Sequence, residues 1–113
     1  MTDIYRLTFE DGPAGVTIAR VEGEIDLASA PGLGAALASA LEAGDTALDL
    51  SDVAFIDSAG VRMLVELAKN DGRGPVAVIA PPGSTARRMI ELTAIESLFR
   101  LLDGPDELAR SGS

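Results

Sequence analysis

The hydrophobic pattern of this chain changes its period along the sequence, and that change limits the folds that the chain can adopt. Apolar and polar residues alternate in Ile4–Phe9 and again in Val16–Gly23, and the turn-rich segment Glu10–Gly15 separates the two runs. Alternation with a period of two is typical of half-buried strands. Two such runs around a turn with glycine and proline predict an antiparallel hairpin.

Strands and helices then alternate for the rest of the chain. Three segments have apolar residues at helical spacing, and short apolar runs separate them. The predicted elements are a helix near 30–43, a short strand at Thr46–Asp52, a helix from about Ala59 to Asn70, a strand at Pro75–Ala80, a helix at Ser84–Ile95, a strand at Leu98–Asp103 and a short terminal helix that starts at Pro105. This order predicts an α/β fold with a mixed sheet of four to five strands, flanked by helices and parallel in its later part. We expect one domain over residues 3–109 and a frayed tail over 110–113.

The second predicted helix is amphipathic. The residues expected to be buried have the i, i+3, i+4, i+7 spacing of one helix face and are Val61, Leu64, Val65 and Ala68. Met63 and Leu67 are expected to widen this apolar face. Arg62, Glu66 and Lys69 are expected to face solvent, and Arg62 and Glu66 have the i,i+4 spacing at which helix side chains meet.

Composition narrows the chemistry that the chain can carry. A formal net charge of −9 disfavours nucleic acids and anionic membranes as partners, because both attract Lys and Arg. The sequence has no Cys and no His, which removes thiolates, the commonest general base and the commonest zinc ligand. Asp49, Asp52 and Asp57 lack the spacing of a calcium loop, so we expect neither a metal nor a cofactor. No apolar run approaches the length of a membrane span and no signal peptide is predicted, so we expect a cytoplasmic protein.

The stretch Asp57-Ser58-Ala59-Gly60 stands where a strand passes into a helix, and it has two interpretations. Asp57 or Ser58 caps the helix, which is a common role of both residue types. Alternatively, Ser58 presents its hydroxyl for modification. Ala59 and Gly60 are expected to leave the first N–H groups of the helix uncovered, so that a phosphate is tolerated and a partner's backbone can approach closely. A hydrolase is disfavoured, because Ser58 is not in a G-x-S-x-G elbow and no His exists to activate it.

A second acidic segment, Glu22–Asp26, ends the predicted second strand. If that strand and the third are parallel neighbours, Asp26 and Ser58 lie at the same edge of the sheet, which is where function usually resides in open α/β sheets. Taken alone, the segment is better explained as a strand-end turn with solvated acids.

Together these features resemble the STAS family of bacterial anti-sigma-factor antagonists over nearly the whole chain. The resemblance rests on the opening hairpin, Gly23–Asp26, the stretch Leu48–Gly60, the helix Val61–Lys69 and the ending LTAIESLFRLLD. Two positions depart from the family. Ala59 stands where Ser or Thr is also common, which leaves Ser58 as the only hydroxyl of the motif, and Ala94 stands where Gly often follows Leu-Thr.

The resemblance implies a phosphorylation-switched binding module and not an enzyme. In the family, the unphosphorylated antagonist binds an anti-sigma factor that is also a serine kinase, and this releases the sigma factor. Phosphorylation dissociates the complex, and a serine/threonine phosphatase resets it. Carried over to this sequence, Ser58 is the phosphorylated residue, and the partner surface comprises Asp26, Asp57, Ala59, Gly60 and Arg62. The alternative is a STAS module that binds a small ligand or nucleotide at the same edge, or a STAS subunit of a stress-signalling or transporter assembly.

Overall fold

The computed structural model of the chain describes residues 5–69 and 74–110, with only the backbone of Arg110. These residues form one sheet, three α-helices and three short 3₁₀ helices. The strands are β1 Tyr5–Asp11, β2 Thr17–Ile25, β3 Thr46–Ile56, β4 Val76–Ile79 and β5 Phe99–Leu102. The α-helices are α1 Ala30–Ala43, α2 Ser58–Ala68 and α3 Thr85–Leu92, and the 3₁₀ helices are Pro13–Gly15, Glu96–Leu98 and Pro105–Arg110.

The spatial order of the strands equals their order in the chain, β1-β2-β3-β4-β5. β1 pairs antiparallel with β2, from Tyr5 opposite Gly23 to Asp11 opposite Thr17, which confirms the predicted hairpin. β2, β3, β4 and β5 are parallel neighbours. The predicted α/β class, with a mixed sheet that is parallel in its later part, is therefore confirmed.

All three α-helices pack against the same face of the sheet. A connection between parallel strands is almost always right-handed, so strands added one after another on the same side bring every helix to one face. The buried side chains of α1, α2 and α3 accordingly join one apolar cluster with alternate strand residues, including Val21, Leu48 and Val78. The main core of the domain lies between this face and the helices.

A smaller apolar cluster lies on the opposite face. It contains Ile18, Ala47, Ala77, Ile79 and Leu102, covered by Leu108 of the terminal 3₁₀ helix. Because Val76 and Val78 belong to the main cluster and Ala77 and Ile79 to the smaller one, β4 is buried on both faces, as its continuous apolar sequence predicts.

Charged residues of β1, β2 and β3 meet on this second face, beside the smaller cluster. Arg20 donates a hydrogen bond to Asp52 at 3.0 Å and lies 3.7 Å from Glu10. The hydrogen bond to Asp52, and then the charge of Asp49, raise the pKa of Arg20 above its ordinary value. This face therefore combines half-exposed ion pairs with a small apolar cluster, whereas the helix-bearing face carries the main apolar core.

The boundaries of α1 agree with the prediction, and those of β3 and α3 differ from it. β3 continues to Ile56, four residues past the predicted end at Asp52, because β2 supplies a pairing partner as far as Ile25. α3 ends at Leu92 instead of Ile95, and Ala94 follows it with a left-handed φ of 57°. The amide N–H of Ile95 donates back to Ile90 at 3.2 Å, which closes the helix end.

The buried face of α2 also differs from the prediction. Its buried side chains are Met63, Leu64 and Leu67, whereas Val61 and Val65 are half-buried. Relative to the prediction, the helix is rotated so that Met63 and Leu67 lie at the centre of its buried face instead of at the margin. These two residues face α1 as well as the sheet. Glu66 pairs with Lys69 at 3.4 Å.

β2 runs to Ile25, two residues past its predicted end, and α2 begins at Ser58 and ends at Ala68. β4 and β5 are each one residue shorter at both ends than predicted. Other predicted boundaries fall on residues outside the described ranges. This holds for the strand start at Ile4, the helix end at Asn70 and the tail after Arg110. The predicted terminal helix is a 3₁₀ helix that starts at Pro105. None of the described helices has the length and hydropathy needed to cross a membrane.

Candidate functional site

The carboxyl ends of β2 and β3 lie side by side and bring two acidic residues to one edge of the sheet. Ile25 is opposite Ile56, and the N–H of Asp57 donates to the carbonyl of Ile25 at 3.2 Å. Asp26 and Asp57 follow these strand ends, so the structure places both at the edge where Ser58 begins α2. We call this region the Ser58 edge. It comprises Asp26, Leu27, Asp57, Ser58 and the adjoining groove between α1 and α2.

Asp57 is the N-cap of α2. Its Oδ1 accepts hydrogen bonds from the N–H groups of Ala59, at 2.9 Å, and Gly60, at 3.1 Å. This resolves the choice between Asp57 and Ser58 as the cap. It also corrects the expectation that these two N–H groups are uncovered, because the carboxylate of Asp57 already satisfies them.

Ser58 is the first helical residue, and its side chain is exposed. No hydrogen bond of its hydroxyl is present within the described residues. The fold therefore leaves the hydroxyl of Ser58 accessible and unused.

Gly60 is buried, and the prediction that it leaves room for a partner's backbone is wrong. A Cβ at this position would lie 2.6 Å from Cγ1 of Ile56 and 3.0 Å from both Cγ2 and the carbonyl oxygen of Ile25. The missing side chain thus allows α2 to pack closely on the ends of β2 and β3. Gly60 positions Ser58 from within the core, whereas Ala59 is half-buried and Arg62 is exposed.

Asp26 organises the loop between β2 and α1. Its Oδ1 accepts hydrogen bonds from the N–H groups of Ala28 and Ser29, each at 3.0 Å, and its own N–H donates to Oγ of Ser29 at 2.9 Å. Oγ of Ser29 is also 3.1 Å from the carbonyl of Glu24. These bonds close a tight turn. The half-buried Asp26 therefore fixes the loop that leads into α1.

That turn projects an apolar side chain that sequence reasoning missed. Leu27 is 78% exposed, the highest exposure among the large apolar side chains of the described residues. The signal was available in the sequence, since Leu27 stands between an acid and an alanine, outside any periodic run. Phe55, near the end of β3, is also 48% exposed.

An open groove of about 650 Å³ runs between α1 and α2 beside Ser58. Its walls are mostly small or apolar: Leu27, Ala30, Pro31, Gly34, Ala35, Ala38, Ala59, Met63 and Leu67, with Ser58, Arg62 and Glu66 as the polar members. The groove thus joins the exposed leucine, the exposed hydroxyl and one cation on a single surface. Within the described residues, no group of three or more His, Cys, Asp or Glu side chains is arranged to hold a metal ion.

A family model described as "Mlab, STAS domain" matches residues 9–103. The chain belongs to the STAS domain family. Over 89 residues this STAS domain is 35% identical to the anti-sigma-F factor antagonist RsfB of Mycobacterium tuberculosis, covering 77% of this chain and 73% of that protein.

Solved structures agree with this fold. The crystal structure of an anti-sigma factor antagonist from Mycobacterium paratuberculosis is 31% identical and superposes with a TM-score of 0.79, covering 96% of this chain and 92% of that one. The Bacillus cell fate determinant SpoIIAA in its phosphorylated form is 16% identical and superposes with a TM-score of 0.62, covering 93% of this chain and 98% of that one. At that identity the second likeness shows the fold alone.

Proposed function

We propose that this STAS domain is an anti-sigma-factor antagonist that is switched by phosphorylation of Ser58. The unphosphorylated form binds an anti-sigma factor that is also a serine kinase, and this binding releases the sigma factor. The kinase transfers the γ-phosphoryl group of ATP to Oγ of Ser58, with release of ADP and of the hydroxyl proton. The phosphorylated form leaves the complex, and a serine/threonine phosphatase removes the phosphate.

The observation that carries this proposal is the exposed, unused hydroxyl of Ser58 next to a cap supplied by another residue. Because Asp57 caps α2, modification of Ser58 removes no hydrogen bond that the fold needs. The identity to RsfB, a protein named as an anti-sigma-F factor antagonist, supports the same function.

The Ser58 edge also has the composition of a protein-binding surface. Leu27 offers an exposed apolar anchor, and the groove beside it offers small residues that a partner side chain can cover. Ala59 and Arg62 lie on the rim as direct contacts, whereas Asp26 and Asp57 act mainly by holding the loop and the helix end. The net charge of −9 disfavours nucleic acid as a direct partner.

Charge is the physical basis of the proposed switch. A phosphate adds about −1.5 to −2 charges at neutral pH. It would lie directly after the carboxylate of Asp57, on a chain whose formal net charge is −9. Inside an interface that accepts a neutral hydroxyl, the phosphate adds bulk, a desolvation cost and repulsion from acidic groups of the partner. Binding is therefore expected to end without any change of fold.

Two substitutions of Ser58 separate the effect of losing the hydroxyl from the effect of adding a negative charge. The chain is first immobilised and incubated with a lysate of the bacterium that encodes it. The kinase that binds is then eluted with ATP. Calorimetry then measures the affinity of this kinase for the wild type, Ser58→Ala and Ser58→Asp. Ser58→Ala is expected to bind like the wild type and to stay bound when ATP is added. Ser58→Asp is expected to lose at least about 1.4 kcal/mol, a factor of ten.

A matched control comes from Ser39, an exposed serine of α1 that does not line the groove. Ser39→Asp adds the same charge away from the Ser58 edge and is expected to leave the affinity for the kinase unchanged. Equal affinities for all folded variants, with and without ATP, would contradict the proposed function. Phosphate found on another serine or threonine, with Ser58 unmodified, would contradict the assignment of the site.

The volume of the groove favours one second candidate. About 650 Å³ lies within the range of small-molecule sites, so a nucleotide or another small ligand is the alternative occupant. Thermal stabilisation of the isolated chain by ATP or GTP, abolished by a groove substitution such as Ala35→Trp, would favour this alternative. No stabilisation by nucleotide, together with ATP-dependent release of a kinase, would favour the antagonist.

A further inference from the structure

The N-terminus of α2 has little capacity left to neutralise a phosphate on Ser58. The N–H groups of Ala59 and Gly60 are already bonded to Oδ1 of Asp57. The N–H of Val61 donates to the carbonyl of Asp57 at 2.9 Å. A phosphate on Ser58 would therefore find most of the helix amides occupied and a carboxylate as its immediate neighbour. The added charge is then left to solvent or to a nearby cationic side chain.

Arg62 is placed to balance that charge. It stands four residues after Ser58 on α2, a spacing that puts two side chains on the same helix face. Side chains of a helix lean towards its N-terminus, a direction that brings the guanidinium of Arg62 within reach of Ser58. Both residues are exposed and line the same groove.

The other charges nearby leave Arg62 available. Among the described residues that line the groove, Arg62 is the only cation. Glu66, the acid one turn further along α2, is bonded to Lys69. No ion pair of Arg62 is present within the described residues.

We propose that Arg62 is the phosphate-holding residue of the switch and that its guanidinium pairs with phosphoserine 58 across one turn of α2. This inference rests on the proposed function, since it concerns the phosphorylated state. Phosphorylation then has two effects on the surface that faces the partner. A dianion replaces a neutral hydroxyl, and the guanidinium of Arg62 is no longer available to the partner because it pairs with that dianion. A planar guanidinium binds two phosphate oxygens at once, which fixes the phosphate over the groove.

The test uses phosphoserine incorporated at position 58 during synthesis of the full chain, so that no kinase is needed. A ³¹P NMR titration measures the second pKa of this phosphate, which is about 6 for an unperturbed group. A neighbouring cation favours the dianion and lowers this pKa. In R62Q we expect the pKa to be higher than in the wild type by at least about 0.3 units.

Two further variants make the result specific. R62K keeps the charge and is expected to restore most of the lowered pKa. R88Q removes an exposed arginine of α3 and is expected to match the wild type. The neighbouring carboxylates of Asp26, Asp57 and Glu66 are identical in all variants, so their effects cancel in the comparison.

Identical phosphate pKa values in the wild type and R62Q, or the same rise in R88Q, would overturn the pairing. The affinity for the kinase separates this inference from the proposed function. We expect phosphorylation to weaken binding by a smaller factor in R62Q than in the wild type. If the ³¹P difference is present but phosphorylation leaves kinase binding unchanged, the pairing stands and the switch function fails.

Discussion

Replacing Gly60 by alanine tests how closely α2 packs on the strand ends at the Ser58 edge. The added Cβ would lie 2.6 Å from Cγ1 of Ile56 and 3.0 Å from the carbonyl oxygen of Ile25, which accepts the N–H of Asp57. Overpacking a core in this way typically costs about 1–3 kcal/mol. Alanine in place of glycine in a helix returns up to about 1 kcal/mol. With the full return, the difference is a net loss of about 0–2 kcal/mol. We expect the upper half of this range, about 1–2 kcal/mol, because the atoms that would be met are Cγ1 of Ile56, next to its Cβ, and a backbone carbonyl, and neither moves aside like the end of a flexible side chain.

Urea unfolding, followed by circular dichroism, measures this loss as a lower midpoint at an unchanged slope. For a domain of this size the melting temperature should fall by about 4–8 °C. Gly32 is the matched control, because it holds the same third position in α1 and its added Cβ would meet only Oη of Tyr5, at 3.7 Å. Gly32→Ala is expected to raise stability by up to about 1 kcal/mol. If Gly60→Ala is as stable as the wild type, or gains as much as Gly32→Ala, the close packing argued here is wrong.

Substitutions at four further positions test other local features of the structure. Ala94→Gly should stabilise the domain by about 0.5–1 kcal/mol, because glycine adopts the left-handed φ of 57° without strain, and an unchanged or lower urea midpoint would refute this. Asp57→Ala should lose about 0.5–2 kcal/mol with the α2 cap, whereas Asp57→Asn should keep most of it in the same assay. Arg87→Met removes hydrogen bonds that tie α3 to the residues after β4 and β5, and thermal unfolding should report a loss of about 1–2 kcal/mol. Leu27→Ser should change stability by less than about 0.5 kcal/mol yet weaken kinase binding about tenfold in calorimetry, and an unaltered affinity would remove Leu27 from the interface.

The sequence determined the elements whose signals are local. α1 was predicted at its observed bounds, because the leucines at Leu33, Leu37 and Leu41 repeat at helical spacing and Gly44 follows as a stop. The hairpin followed from two alternating runs around a turn, and the burial of β4 on both faces followed from its unbroken apolar run. Each of these patterns is complete within about twenty residues, so it can be interpreted without knowledge of distant contacts.

The sequence also located the candidate site, but it did not assign the parts within it. Asp26 and Ser58 were expected at one sheet edge, and the parallel pairing of β2 and β3 places them there. The motif alone left open which of Asp57 and Ser58 is the cap. That choice depends on the backbone angles at the strand end, where Asp57 is extended and Ser58 is already helical.

Only the tertiary structure decided which small or apolar residues face inward. Gly60 was expected at the surface and is buried, because the ends of two strands that are about thirty residues apart in the chain meet beneath it. Leu27 was overlooked and is exposed, because the hydrogen bonds of Asp26 turn the loop outwards. β3 extends to Ile56 because β2 offers backbone partners that far. A residue's spacing fixes the face of its own helix or strand, whereas what covers that face depends on contacts between segments that are distant in the sequence.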